Sequence, residues 1–440
     1  MKILAADFGT SSVKLGVYTR EMIEIVSTNV GYKYESDGTT AQIDPEVIYS
    51  AFIKGCHNLG DILKTVDILA FCAFSPSLIA MDIDGNAVYP CIVHLDRRSY
   101  KQSRYALNQL PKETFIEING NLPFAGGISS TSILWIKQEQ PELFKKTYML
   151  GHLSTFLHKR FVGKFIIDLT NASFTGLFET FTKKGWSPVI TDALGIDRRL
   201  LPELRPSLSI AGELRGEVAE AAGLKNGLPV LVGANDSTSA AYGAGAFHNG
   251  DITNISGSSE IMVMTTDKPV PHAKYYSRVS VEEDKWIHLA ITVGGFALEW
   301  FKKEFCREMS DEFFYGNYLK ETVSEGIKKD KVRFLPHLSG DRHSLVRKRG
   351  AFSGLTMETT REDMLRALLT GTFDPILTAL DIIKKSTKLN TNIYWTGAMI
   401  SEEYQRFKEQ VFHGYHFIPC KNCSSLGMVR GAVVTLERSI

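Results

Sequence analysis

The sequence has almost no net charge, because 50 lysines and arginines face 49 aspartates and glutamates and leave a formal charge of +1. Such a balance provides no general field that would attract nucleic acid or an anionic membrane. Hydrophobic runs long enough to cross a bilayer are missing as well, and the first apolar stretch stops at Asp7, too early for a secretory signal. We therefore predict that the protein binds neither nucleic acid nor a membrane.

Cysteine is scarce, with six residues in 440. Four of these cysteines stand alone in the sequence: Cys56, Cys72, Cys91 and Cys306. This pattern does not match a disulfide framework, which is typical of small secreted domains. We therefore expect the protein in a reducing cytoplasm.

The other two cysteines lie in a segment that also contains two histidines: His413, His416, Cys420 and Cys423. All four are zinc-type ligands, but structural zinc sites usually take their ligand pairs from separate elements. Here the segment runs from a predicted helix, residues 404–412, into a predicted strand, residues 415–419, whose neighbouring side chains point to opposite faces. Whether these residues bind any metal is left open.

Two common nucleotide-binding signatures are also missing. The sequence has no Gly-x-x-x-x-Gly-Lys-Ser/Thr loop and lacks the combined motifs of protein kinases, so that Asp7-Phe8-Gly9 is a chance match. The composition, with 44% hydrophobic and 22% charged residues, is that of a folded protein. Because 440 residues exceed what one hydrophobic core usually supports, we expect two or three domains.

Strand-like and helix-like segments alternate along the chain, which predicts an α/β protein. Residues 2–6 and 13–18 read as two strands around a turn of Gly, Thr and Ser. Residues 251–255 and 260–265 flank a Gly/Ser turn in the same way. We interpret this as an internal repeat that builds two similar lobes, with a boundary between residues 245 and 250.

The two turns, residues 9–12 and 257–259, are suited to phosphate binding, because small residues let several backbone N–H groups converge on one anion. Most such turns bind nothing, and the hypothesis rests on their pairing. Asp7 precedes the first turn and would hold Mg²⁺ through its water shell, since Mg²⁺ prefers oxygen ligands and keeps several waters. Its alternative role is to hydrogen-bond the turn.

Asp236 lies between an apolar strand, residues 229–232, and a helix of small residues, 237–242. Phosphoryl transfer to a hydroxyl group needs a carboxylate that can accept the hydroxyl proton. We take Asp236 as the candidate general base, because the small neighbours leave space for a substrate. The alternative is that Asp236 caps the following helix.

In this order, and over nearly the whole chain, the segments resemble motifs of the FGGY family of carbohydrate kinases. Residues 6–14 and 255–259 are similar to its two phosphate motifs, residues 233–243 to its catalytic-base segment, and residues 294–301 to its glycine-rich segment near the nucleotide phosphates. Further similar segments are residues 96–98, 171–173, 334–342, 350–355, 366–371, 396–398 (the adenosine motif) and 424–427.

The resemblance implies two actin-like (ribonuclease H-like) lobes, residues 1–245 and 246–440, with a cleft for ATP and a sugar between them. It implies ATP and Mg²⁺ as cofactors and a small sugar or sugar acid as the acceptor, and it allows a homodimer. Asp236 would be the general base and Asp7 the Mg²⁺ residue. The nucleotide residues would be Thr10, Ser11, Ser12, Lys14, Gly257, Ser258, Gly295, Gly397 and Ala398. The acceptor residues would be Ser75, Pro76, Asp96, Arg98 and Asp236.

The acceptor loop departs from the family pattern. Many pentulose kinases have Gln-Met-His where this chain has Phe74-Ser75-Pro76, the glycerol-kinase Arg-Glu pair is absent, and residues 77–82 are similar to gluconate-kinase-like members. The adenosine motif is also short. We predict a ketose such as xylulose as the acceptor. Gluconate or another sugar acid or polyol, a sensing relative with weakened catalysis, and an actin-like ATPase stay open.

Overall fold

Strands and helices alternate along most of the chain, which confirms the predicted α/β class. The computed structural model describes residues 1–327, 332–338, 340, 348–397 and 401–438. Its strands are β1 (Lys2–Phe8), β2 (Ser12–Thr19), β3 (Glu24–Gly31), β4 (Glu35–Ser36), β5 (Ala41–Ile43), β6 (Ile68–Ala73), β7 (Ser77–Met81), β8 (Cys91–Val93), β9 (Met149–Gly151), β10 (Ile166–Asp168), β11 (Glu203–Arg205), β12 (Ile210–Glu213), β13 (Pro229–Leu231), β14 (Ala234–Asn235), β15 (Ile252–Ser256), β16 (Ser259–Thr266), β17 (Tyr276–Val279), β18 (Trp286–Val293), β19 (Arg333–Leu335), β20 (Ala351–Ser353), β21 (Asn392–Gly397) and β22 (His416–Pro419).

The helices lie between these strands, and none in the described ranges is long and apolar enough to cross a membrane. They are α1 (Pro45–Leu59), α2 (Tyr100–Gln109), α3 (Lys112–Asn119), α4 (Ser129–Glu139), α5 (Pro141–Lys145), α6 (Leu153–Val162), α7 (Leu169–Ala172), α8 (Pro188–Leu194), α9 (Gly216–Ala222), α10 (Asp236–Gly243), α11 (Gly295–Phe305), α12 (Asp311–Phe313), α13 (Leu319–Ser324), α14 (Arg361–Ile383), α15 (Glu402–Val411) and α16 (Cys423–Glu437). A π-helical stretch, Phe314–Tyr318, joins α12 to α13.

The first sheet is built around the hairpin of β1 and β2. Apolar and β-branched residues form most of both strands and small residues make the turn, as the sequence predicted. The strands run in the order β12-β13-β6-β1-β2-β3, with β2 antiparallel and β6 parallel to β1. The turn after β1 therefore leaves the sheet near its middle.

The second sheet repeats this plan. Its order is β17-β18-β16-β15-β21-β22, in which β15 and β16 form an antiparallel hairpin and β21 lies parallel to β15. Strand β18 continues the sheet beyond β16 as β3 does beyond β2, again antiparallel. Each sheet thus combines one hairpin with an outer antiparallel strand and an inner parallel strand, which agrees with the predicted internal repeat.

Helix α1 shows how sequence signals become packing. Asp44 accepts a hydrogen bond from the N–H of Glu46 at 2.9 Å and thereby caps the helix. The helix buries Phe52 against Phe8 and Phe161, with ring centroids 5.8 and 5.1 Å apart. Each buried phenylalanine contributes about 1.5–3 kcal/mol to folding. This packing holds β1, and with it the first turn, in place.

Helices α10 and α16 approach each other so closely that only glycine fits at two positions. A Cβ atom on Gly243 would lie 1.9 Å from the carbonyl oxygen of Cys423, and one on Gly427 would lie 2.0 Å from that of Ser239. Helix α16 also packs on β1 and β6 through a shared apolar cluster. The division of the chain at residue 245 stays a prediction. Helix α16 lies in the predicted second lobe but packs on the first sheet.

Candidate active site

A cavity of about 460 Å³ is lined by residues from both sheets and from both hairpin turns. The first sheet contributes the turn after β1 and the start of α10, and the second contributes the turn between β15 and β16. Apolar residues of β16 and β18, namely Ile261, Leu289 and Ile291, form one wall. The predicted site residues that line the cavity are Asp7, Thr10, Ser11, Ser75, Pro76, Asp236, Gly257 and Ser258.

The turn after β1 is closed by its own backbone. The N–H of Gly9 donates to the carbonyl oxygen of Ser12 at 3.0 Å, and the hydroxyl of Tyr32 donates to the carbonyl oxygens of both residues. These bonds leave Thr10 and Ser11 at the tip, where they line the cavity. Ser12 lies at the start of β2, outside the lining.

Lys14, a predicted nucleotide residue, does not line the cavity. It lies opposite Asp7 in the hairpin, and its ammonium group donates to the side-chain oxygen of Asn422, just before α16. Its positive charge lowers the pKa of Asp7, although burial is the larger effect and raises it. Lys14 therefore affects the site in two ways: its charge acts on Asp7, and its hydrogen bond to Asn422 holds the start of α16.

The second turn is held by the glycine-rich start of α11. The N–H of Gly257 donates to the carbonyl oxygen of Ser259 at 2.9 Å, which closes the turn. The N–H groups of Gly295 and Gly294 then donate to the carbonyl oxygens of Gly257 and Ser258 at 2.8 and 3.2 Å. A Cβ atom on Gly295 would lie only 2.9 Å from the carbonyl oxygen of Gly257. Gly295 thus supports the predicted phosphate turn without lining the cavity.

Strand β21 supports the same hairpin from the other side. Gly397 pairs with Ser256, has a φ of 113°, and would place a Cβ atom 2.0 Å from the carbonyl oxygen of Ser256. Only glycine tolerates both the backbone conformation and this contact. Ala398, the next predicted nucleotide residue, lies outside the described residues.

A buried lysine lies beneath the second turn, a feature that the sequence analysis missed. The ammonium group of Lys408 donates to Glu260 at 2.6 Å, to Asn254 at 2.5 Å and to the hydroxyl of Ser256 at 2.8 Å. Burial lowers the pKa of Lys408, and the Glu260 carboxylate opposes that shift. The cluster fastens the ends of β15 and β16. No local pattern marks it, because 148 residues separate the ion pair in the sequence.

Asp236 is the first residue of α10, directly after β14. Burial, followed by the nearby charge of Asp7, raises the pKa of its carboxyl group to about 7. Burial also raises the pKa of Asp7, while the thiol of Cys72, 3.4 Å away, lowers it. Two carboxyl groups therefore share one cavity, and a pKa near neutrality lets Asp236 accept a proton at physiological pH.

The capping role that the sequence left open for Asp236 belongs to Asn235. The side-chain oxygen of Asn235 accepts hydrogen bonds from the N–H groups of Ser237 and Thr238 at 3.1 and 3.2 Å. Its amide group donates to Oδ1 of Asp236 at 2.9 Å, and the N–H of Ser237 donates to the same oxygen at 2.6 Å. The carboxylate is thus oriented by its neighbours.

A chain of buried hydrogen bonds connects the start of α10 to the predicted acceptor loop. The N–H of Asn235 donates to the hydroxyl of Thr170 at 2.7 Å, and that hydroxyl donates to Asp168. Asp168 also accepts from the side-chain amide of Asn171 at 2.6 Å. Asn171 in turn accepts from the hydroxyl of Ser75. The catalytic candidate and the acceptor loop therefore share one scaffold.

His152 holds the other side of Ser75. Its Nδ1 lies 3.2 Å from the hydroxyl of Ser75, and its Nε2 lies 2.6 Å from the hydroxyl of Ser129. Burial lowers the pKa of His152 to about 3, and the nearby charge of Arg278 adds to this effect while a hydrogen bond with Asn171 opposes it. The imidazole is therefore neutral at physiological pH. The sequence identified Ser75 but not His152, which lies 77 residues away along the chain.

Two other predicted acceptor residues, Asp96 and Arg98, do not line the cavity. They form a buried ion pair, with Nε of Arg98 2.7 Å from Oδ2 of Asp96. Arg98 also donates to Gln42 at 2.8 Å and to the hydroxyl of Tyr89 at 2.7 Å. These bonds tie the loop after β8 to β5. A contact of this pair with the acceptor stays a prediction.

In the ranges that the structure describes, no three His, Cys, Asp or Glu side chains come together in a way that could hold a metal ion. Cys420 and Cys423 contact each other instead, with their sulfur atoms 2.8 Å apart. Cys423 starts α16, whereas His416 starts β22. The four residues of the histidine and cysteine segment therefore do not come together as zinc ligands in this structure.

More than half of the chain, residues 2–243, matches the sequence model described as the FGGY family of carbohydrate kinases, N-terminal domain. The chain is 27% identical to the xylulose kinase of Lactococcus lactis subsp. lactis (strain IL1403) over 397 residues, which cover 87% of this chain and 77% of that protein. It is also 27% identical to the gluconokinase of Bacillus subtilis (strain 168) over 439 residues, which cover 95% of this chain and 84% of that protein.

Among solved structures, the chain is similar to ligand-bound xylulose kinase from Lactobacillus acidophilus. The TM-score is 0.90, and the match covers 99% of this chain and 90% of that chain. The two sequences are 20% identical, so this likeness concerns the fold. The two-lobed fold predicted from the sequence is thereby confirmed.

Proposed function

The chain belongs to the FGGY family of carbohydrate kinases and is a sugar phosphotransferase, and we propose that it uses Asp236 to move the γ-phosphoryl group of ATP to a sugar hydroxyl. The observation that carries this proposal is the position of Asp236. Its carboxylate lines the same cavity as both small-residue turns, with a pKa of about 7. Two turns suited to phosphate binding and a base of suitable pKa thus line the same cavity.

In the proposed reaction, Asp236 accepts the proton of the acceptor hydroxyl as that oxygen attacks the γ-phosphorus, and the bond from the γ-phosphorus to the bridging oxygen breaks so that ADP leaves. A general base works best when its pKa lies near the working pH, because it is then both ionised and basic enough. Asn235 and Ser237 fix the orientation of the carboxylate through its Oδ1. Such positioning supplies much of the rate in phosphoryl transfer, where the protein does little covalent chemistry.

The residues present fit ATP and Mg²⁺. The turns that include Thr10, Ser11, Gly257 and Ser258 present backbone N–H groups without large side chains, which suits phosphate oxygens. Asp7 offers carboxylate oxygen to a divalent cation, and a cation there would favour its ionised form. When bound, Mg²⁺ neutralises phosphate charge that would otherwise repel the attacking oxygen.

The proposal also concerns the chemical class of the acceptor. Relatives of this chain include proteins named xylulose kinase and gluconokinase, so a ketose and a sugar acid are the two leading classes. The acceptor loop reaches the cavity through Ser75 and Pro76. The hydroxyl of Ser75 already bonds with Asn171 and His152, so the loop is fixed before any acceptor arrives.

The proposal is tested by measuring ATP consumption with and without acceptors, in a coupled assay over pentuloses, hexuloses, alditols and aldonates. We expect consumption only with a suitable acceptor, and a loss of about 10²–10⁴-fold in kcat for Asp236→Asn. Asp84→Asn, in an exposed loop, is the matched control and should retain full turnover.

Two results would contradict the proposal. Rapid ATP hydrolysis without any acceptor would favour the ATPase alternative. Binding of ATP and a sugar by calorimetry, without turnover across the whole panel, would favour a sensing relative that has lost catalysis.

A further inference from the structure

Arg278 is a fully buried arginine on β17 that none of the roles above uses. It belongs to the wall of the active-site cavity, together with the rings of Phe174 and Tyr276. Its guanidinium carbon lies 4.0 Å from the centroid of Phe174 and 5.3 Å from that of Tyr276. A charged side chain thus stands in a wall that is otherwise largely apolar.

Only one edge of this guanidinium group is bonded to the protein. Its Nη1 donates to the side-chain oxygen of Asn121 and to the carbonyl oxygen of Ser277, the latter at 2.8 Å. Its Nε and Nη2 are buried and find no acceptor among the described residues. These two nitrogens form the edge that binds a carboxylate through two parallel hydrogen bonds.

No described carboxylate forms an ion pair with Arg278. Burial lowers the pKa of Arg278 to about 9, and the smaller effect of Tyr276 opposes this shift. A buried cation without a counter-ion is unfavourable, which explains why such residues are usually paired. Among the described residues, this buried positive charge therefore has no carboxylate partner.

The position of Arg278 relates it to the acceptor end of the cavity. Its guanidinium group lies over the ring of Phe174, whose carbonyl oxygen accepts a hydrogen bond from the N–H of Ser129 at 3.1 Å, and the hydroxyl of Ser129 contacts His152. His152 contacts Ser75 of the acceptor loop. The cation is thus connected to the acceptor loop.

We propose that the acceptor is an aldonate, a small sugar acid, and that Arg278 binds its carboxylate through Nε and Nη2. This inference rests on the proposed function and names the acceptor class for the same site. The two nitrogens are buried in this structure, so the proposal requires the arginine side chain to rotate past Phe174 and Tyr276 to reach the acceptor. The carboxylate supplies the missing counter-ion, and the far end of the sugar presents a hydroxyl to Asp236.

The competing explanation is that Arg278 only stabilises the fold, because its bond to Asn121 connects β17 to the segment after α3. That role predicts equal damage for all acceptors when Arg278 is replaced. Asn121→Ala separates the two explanations, since it removes the bond to Nη1 and leaves the charge in place. A carboxylate-binding Arg278 retains its preference for acids in this variant.

The experiment compares acceptors that differ only in the carboxylate: D-gluconate with D-glucitol, and D-xylonate with xylitol. In the wild-type protein, we expect kcat/KM to be at least about 100-fold higher for the acid of each pair. In Arg278→Met this ratio should fall about 100-fold, mostly through KM, and Arg278→Lys should lie between the two. Asn121→Ala should retain the wild-type ratio.

Calorimetry of gluconate and xylonate binding, without nucleotide, tests the inference independently of turnover. If no acceptor is phosphorylated but gluconate or xylonate binds and Arg278→Met abolishes that binding, the proposed function fails and this inference stands. If neutral acceptors are phosphorylated as well as their acids, this inference fails and the proposed function stands. An equal loss for acid and alditol in Arg278→Met, or no binding of either acid to the wild type, also overturns it.

Discussion

Replacing Asp236 with asparagine is expected to remove phosphoryl transfer and to stabilise the folded protein at the same time. Asparagine has nearly the same shape, and its side-chain oxygen can still accept the hydrogen bonds from Asn235 and Ser237. What the substitution removes is a charge in a buried position. The substitution therefore shows the effect of the negative charge while the geometry of the side chain is kept.

The magnitude follows from the pKa of Asp236, which burial and Asp7 raise from 3.8 to about 7. A raised pKa in an acid means that the folded protein holds its proton more tightly than the unfolded chain. The wild type therefore loses stability as the pH rises from about 4 to 7, and the loss is complete above 7. At about 1.36 kcal/mol per pKa unit, the advantage of Asp236→Asn should grow by about 2–3 kcal/mol between pH 5 and pH 8.

The assay is urea unfolding of the ligand-free wild type and variant at pH 5 and pH 8, followed by circular dichroism. The exposed Asp61→Asn is the control, because Lys64 lowers the pKa of Asp61 and the variant should gain nothing at higher pH. An advantage of Asp236→Asn that is equal at both pH values would refute the argument that burial controls this carboxylate. Full turnover in the variant would refute its role as the base.

Two further predictions concern the same cavity and its support. In the wild type, kcat/KM should fall about tenfold from pH 8 to pH 6, because a base with a pKa of about 7 is mostly ionised at the first pH and mostly protonated at the second; a flat profile would contradict Asp236 as the base. Lys408→Met should lower the free energy of unfolding by about 3–5 kcal/mol and raise KM for ATP, because it leaves Glu260 buried without a counter-ion. Adding Glu260→Gln should restore part of that stability, and a Lys408→Met protein as stable as the wild type would show that the pair does not support the turn.

The sequence predicted those parts of the fold that depend on neighbours along the chain. The hairpin of β1 and β2 and the junction that carries Asp236 both follow from local patterns of turn and strand residues. The motif order then led to the right family. Each motif consists of residues close together in the sequence, so one sequence suffices to read it.

The remainder of the site depends on contacts that no local pattern contains. His152 reaches Ser75, and Lys408 reaches Glu260, across long stretches of chain. Arg278 stands in an ordinary strand, and what distinguishes it is burial without a counter-ion among the described residues. Asp96, in contrast, matched a motif, but its carboxylate bonds to other residues of the protein and does not line the cavity. Buried polar partners are set by the tertiary fold, so the sequence could not identify them.

The packing of α16 has a consequence for the order in which the protein is made. This helix, Cys423–Glu437, covers β1 and β6, which are synthesised more than 300 residues earlier. Until the ribosome has released it, apolar side chains such as Ile3 and Ala70 lack part of their cover. The first sheet therefore cannot complete its core during most of synthesis. We expect nascent chains that stop before residue 423 to bind chaperones and to be cut readily by proteases, since exposed apolar surface marks an incomplete domain.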